Sequence, residues 1–190
     1  MRKALLLFIF CFFMTPLKAG NKDGEAFVKK ISGEIIALLQ SSAADREESF
    51  VALLNKYANM RRISRFTLGQ YARRFSDDDL EEYQKVFTRY IVRIYNTRLK
   101  EYKDEKIVIN GSQQKTRNII VTSKIILKAQ EPLPVDWWLI AEKDGTITLF
   151  DLRVVGIWMA QEQRASIGAF LSSNNGNAKK LIAHLQEKLS

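Results

Sequence analysis

The stretches that most constrain this fold are short, β-rich and apolar on both faces. In NIIVTSKIILKA, Ile119, Val121, Ile125 and Leu127 share one face of a strand, while Ile120 and Ile126 fall on the other beside Thr122 and Lys124. In VDWWLIAE, Trp137 and Leu139 oppose Trp138 and Ile140; in TITLFDLRVV, Ile147 and Leu149 oppose Phe150 and Leu152. An antiparallel sheet with one face in water alternates apolar with polar residues. Strands that are greasy on both faces need cover on both. Either helices pack on each side, or one face lines an apolar cavity.

The cover is at hand in the first half of the chain, which reads as helical. GEAFVKKISGEIIALLQ sets Phe27, Ile31, Ile35 and Leu38 on one helical face. Asp45 with Glu48 resembles a capping box opening a helix that shows Phe50, Leu53, Leu54 and Tyr57. A third segment, MRRISRFTLGQYARRF, carries Ile63, Phe66 and Tyr71 among cations. Ser76 then caps a long helix beginning Asp77-Asp78-Asp79, acids matched to the positive end of the helix dipole. Its apolar stripe runs through Leu80, Tyr83, Phe87, Ile91 and Ile94, widened by Tyr90, Tyr95, Leu99 and Tyr102. Strands are predicted from Lys106 onward, with turns at Asn110-Gly111 and Asp144-Gly145, and a last helix is capped at Asn177. Helices first and strands later predict an α+β fold, with helices packed on an antiparallel meander.

The first 19 residues stand apart. Arg2 and Lys3 precede the apolar run ALLLFIFCFFM, and Ala19 lies before Gly20, the pattern of a cleaved secretory signal peptide. Residues 20–190 then form a single domain: a helical part over about 22–104, a sheet part over about 106–156 and C-terminal helices over about 157–189. Cys11, the sole cysteine, lies in the apolar run, so its removal excludes disulfides and thiolate chemistry. Losing Arg2, Lys3 and Lys18 lowers the formal charge from +9 to +6. That surplus suits an acidic partner or an anionic lipid surface, as well as plain solubility.

Catalytic constellations are sparse. The single histidine, His184, has no second histidine or cysteine to complete a metal site. Ser112-Gln-Gln-Lys115 matches S-x-x-K, but in a predicted turn. RYIVRIYNTRLKEYK interleaves cations with tyrosines as single-strand nucleic-acid binders do, yet helical spacing turns its Ile and Tyr residues toward a core, and no nucleic acid is expected. No cofactor or metal is implied. An enzyme reading would rest on Asp136 or Asp151 paired with a tyrosine.

Two longer segments resemble a known family. FVALLNKYANMRRISRFTLGQYARRFSDDDLEEYQKVFTRYIVRIYNTRLKEY, with its Arg65–Tyr71 run RFTLGQY and its Val92–Tyr95 run VRIY, is similar to the helical half of the MlaC family of periplasmic phospholipid-binding proteins, the toluene-tolerance family. VDWWL and DLRVVGIWMAQEQRASIGAFL match the family's second signature, in which an aspartate-led strand passes through a glycine into a helix bearing an arginine; Asp151, Gly156 and Arg164 take those places. Three positions depart: Val155 stands where the family usually has glutamate, Ala72 where it commonly has tryptophan, and Trp158 where it has serine.

The resemblance implies a monomeric, non-enzymatic lipid carrier. Its expected fold is like the nuclear transport factor cone, a curved sheet wrapped by helices around an acyl-chain cavity. The implied cargo is phospholipid, with a hopanoid or sterol-like lipid as the alternative. The implied partners are the inner-membrane Mla ABC transporter complex and the outer-membrane Mla lipoprotein complex, facing the periplasm. For the lining we expect Phe66, Leu68, Tyr71, Ile91, Ile94, Trp137, Leu139, Val155, Ile157, Trp158 and Met159, with ordinary core as the competing role of each. Arg164 is expected near the mouth, facing a phosphate or fixing the strand–helix junction.

Overall fold

The computed structural model describes residues 20–41, 46–99, 105–128 and 130–189. The expected signal peptide, Cys11, Asp45, Tyr102 and the side chain of Leu99 lie outside the described residues.

Helix α1 (Lys22–Gln40) starts where Asn21 Oδ1 accepts the Gly24 N–H at 2.5 Å. Helices α2 (Arg46–Tyr57) and α3 (Met60–Leu68) follow, the latter capped by Asn59 Oδ1 on the Arg62 N–H. A 3-10 turn (Gly69–Arg73) leads to α4 (Asp77–Leu99), which Ser76 caps as expected, its Oγ accepting the Asp79 N–H. Each cap satisfies a backbone donor that the first helical turn leaves open.

The sheet is a plain antiparallel meander, in the order β1 (Lys106–Lys115), β2 (Asn118–Ile126), β3 (Leu133–Ala141), β4 (Ile147–Val154) and β5 (Ile157–Trp158). Helix α5 (Met159–Ser173) continues directly from β5, and α6 (Ala178–Glu187) closes the described fold, with Asn177 Oδ1 on the Lys180 N–H. One core joins the two halves: Val28 and Ile31 of α1, Tyr83 and Phe87 of α4, Ile119 and Val121 of β2, and Leu171 and Leu181 of the last helices pack into one cluster. The α+β expectation holds, with the helices of the first half packed on the sheet.

Two β-bulges correct the strand reading. Asn110-Gly111 is not a turn: it lies within β1, where the register against β2 shifts between Ile109 and Gly111, and Gly111 takes φ +142°. The β1–β2 turn is at Thr116–Arg117 instead, which also places Ser112 on a strand. There its Oγ donates to Glu25 Oε1 at 2.8 Å and ties β1 to the start of α1. The second bulge lies between β3 and β4, where Leu139 pairs with Leu149 but Trp138 pairs with Asp151, leaving Phe150 as the extra residue. A bulge shifts the side-chain alternation by one. Leu149 and Leu152, expected on opposite faces, therefore share the inner face, opposite Leu139 and Trp137.

Candidate functional site

A cavity of about 210 Å³ lies between the helices and the sheet. Helix α1 contributes Ile31 and Ile35, α2 contributes Phe50, Leu53 and Leu54, and Met60 and Ile63 come from α3. Phe87, Ile91 and Tyr95, one helical turn apart, form the α4 wall with Val92. Trp137, Leu149, Leu152 and Val154 supply the sheet wall, and Met159 and Ala160 the start of α5. The β4 bulge matters here, because it turns Leu152 and Val154 to the same side as Trp137 and Val135.

Three polar side chains interrupt the apolar wall: Asn96, Asp151 and Gln163. Asp151 is buried, and its Oδ1 accepts the N–H groups of Leu152 and Ala160, each at 2.8 Å, so it caps the first turn of α5. Its Oδ2 and the Oδ1 of Asn96 have no partner among the described residues. Burial pushes the Asp151 carboxyl above its ordinary range, against the opposing pull of the backbone N–H groups of Ala160 and Leu152.

Of the residues expected to line the cavity, Ile91, Trp137 and Met159 do so. The others stand elsewhere for identifiable reasons. Leu68 and Leu139 are fully buried in the helix–sheet core. Ile94 is half-buried on α4 outside the wall, and Tyr71 packs beside Arg74 and the close-approaching Gly176. Phe66 meets Phe150 edge-on at 5.2 Å, Phe150 meets Trp138 at 4.9 Å, and Trp138 meets Trp158 at 5.6 Å, an aromatic chain of which only Phe150 lines the cavity. Val155 and Ile157 are exposed, because Val155-Gly156 is the two-residue turn between β4 and β5 rather than strand interior. Arg164 donates from Nη1 to the Phe66 carbonyl at 3.0 Å and lies over the Phe66 ring at 4.7 Å. It fastens α5 to the C-terminal end of α3, where a cation complements the helix dipole, and is not part of the wall.

The wall residues that sequence reasoning left in the core include Ile31, Ile35, Phe50, Leu53 and Leu54, all correctly assigned to inward helical faces. Val154, the last residue of β4 before the Val155-Gly156 turn, also lines the cavity.

The carboxylates of the enzyme reading have structural partners. Asp136 is ion-paired with Arg153 on the neighbouring strand, and Asp151 caps α5. His184 stacks on Phe170, with ring centroids 4.5 Å apart. No cluster of three or more metal-ligating side chains occurs among the described residues. The geometry offers volume, apolar surface and a few buried hydrogen-bonding atoms, which suits holding an apolar ligand.

The fold has a solved counterpart. The phospholipid-binding protein from Ralstonia solanacearum, solved in complex with a phospholipid, superposes with a TM-score of 0.74 at 17% identity, covering 86% of this chain and 95% of that one. A search of curated proteins found no match. The family model described as MlaC protein matches residues 29–187, from within α1 to the end of α6, and the chain belongs to the MlaC family.

Proposed function

We propose that this protein is an exported, non-enzymatic lipid carrier that takes phospholipid acyl chains into its cavity and passes lipid between the inner- and outer-membrane Mla complexes across the periplasm. The observation that carries this reading is the cavity itself, walled by apolar side chains from α1, α2, α3, α4, the sheet and α5. The family membership and the phospholipid bound to the Ralstonia solanacearum protein support it.

A physical comparison explains why such a wall suits a carrier. A diacyl lipid has roughly 30 methylenes, each worth about 0.8 kcal/mol on leaving water. Their sum exceeds any attainable affinity, so water is the wrong reference. The tails come from a bilayer where they are already dry, and a cavity of Ile, Leu, Phe, Val and Trp replaces one apolar medium with another. The exchange is then near neutral, which permits both loading and release. The headgroup stays in water, so few polar contacts are needed.

Organic extraction of the purified protein followed by mass spectrometry tests the proposal. Phospholipid in near-stoichiometric amount is expected. Protein that is lipid-free and takes up none from vesicles would overturn it.

A further inference from the structure

The link between β4 and β5 carries a combination found nowhere else among the described residues. Val155 and Gly156 are its two central residues, with φ +49° and +83°. A two-residue hairpin with both φ values positive favours Asn-Gly, and a β-branched residue there is an outlier. The same Val155 is 61% exposed, and Ile157 just after it is 54% exposed. Backbone strain and apolar exposure therefore coincide at one tip. A Cβ built on Gly156 would meet no atom within 4 Å, so the tip projects into open space.

We propose that this tip is a membrane-inserting element, with Val155 and Ile157 entering the apolar layer of a lipid bilayer and Trp158 and Arg153 settling at headgroup depth. The inference rests on the carrier reading and adds where the carrier meets its lipid. Val154 before the tip and Met159 after it both line the cavity, so an inserted tip brings the cavity wall to the bilayer surface. Arg153 lies over the Trp158 ring at 5.1 Å, a pairing of cation and amphipathic ring suited to the interface. The third exposed large aliphatic, Val108, sits at the same end of the sheet, in a cross-strand row with Lys124 and Pro134. With Lys124, this end sets Lys106 and Lys128 against the carboxylates of Glu105 and Glu131, three cations to two anions, a slight surplus toward anionic lipid.

A protein partner fits less well. A stable protein interface buries about 800 Å² per side with complementary packing, which a narrow two-residue tip does not supply. A bilayer accepts a protrusion without any matching pocket.

The test uses the exported protein, residues 20–190, and vesicles of phosphatidylethanolamine and phosphatidylglycerol, read by co-sedimentation and by tryptophan quenching with bromine-labelled acyl chains. Val155→Glu and Ile157→Glu, compared with the parent in the same background, are expected to lower vesicle partition roughly tenfold or more. Phospholipid offered in detergent micelles, which need no insertion, should load both variants as it loads the parent. Val155→Asn separates insertion from folding: it relieves the turn, so its melting temperature should rise while vesicle binding falls. Parent and variants partitioning alike, or a parent that ignores vesicles, would overturn the inference while leaving cavity loading intact. A lipid-free parent would instead remove the carrier reading.

Discussion

Asp151 is a buried carboxylate with one oxygen engaged by two backbone N–H groups and the other without a partner among the described residues. Its folded-state pKa lies above the ordinary value because burial penalises the charge. The folded protein therefore holds this proton more tightly than the unfolded chain does. Stability from this site is greatest below the ordinary carboxylate range and declines as pH rises from that range to the raised value. Glu142 acts in the opposite sense. The paired hydrogen bonds from Arg62, at 2.5 and 3.0 Å, hold its carboxyl below the ordinary range, so its contribution is present at neutral pH and lost in acid. Asp151→Asn keeps an acceptor for the Ala160 N–H and removes the titration. We expect urea midpoints measured against pH to show the parent losing stability relative to this variant as the carboxylate ionises. Asp151→Ala removes the cap and should cost about 1 kcal/mol at neutral pH.

The junctions between elements separate what was legible in the sequence from what was not. Gly69 ends α3 with φ +57° and ψ −131°, a mirror-image extended region that glycine enters without strain. A Cβ there would also lie 3.3 Å from Arg164 Nη2. Gly69→Ala should destabilise by about 1–3 kcal/mol in thermal unfolding. The helices, their caps at Ser76 and Asn177, and the order of helical and β segments were readable, because capping side chains and apolar spacing act locally. The bulges were not. Phe150 looks like any strand residue, and its extra place in β4 arises only from pairing with β3. Val-Gly is not a typical turn pair, so Val155 and Ile157 read as wall when they form a hairpin tip. Wall and core share one residue vocabulary. Leu139 packs and Trp137 lines, a difference set by unfilled space rather than by side-chain type.

At the scale of the whole molecule, the cavity volume sets the terms of loading. About 210 Å³ falls below the roughly 300–1,000 Å³ typical of small-molecule pockets, so two full acyl chains require the walls to part. Filling the space from within should oppose this. Leu54, a half-buried wall residue of α2, is a suitable position. Leu54→Trp is expected to lower co-purifying lipid about fivefold or more, with the circular dichroism spectrum retained. The helical side of the wall runs from Ile31 to Asn96, and the other side from Trp137 to Gln163. A chain emerging amino end first thus completes one side before the other exists. Until β3 and β4 arrive, the grease of α1, α2 and α4 has nothing to face, and that interval is when aggregation or a holding chaperone competes with folding.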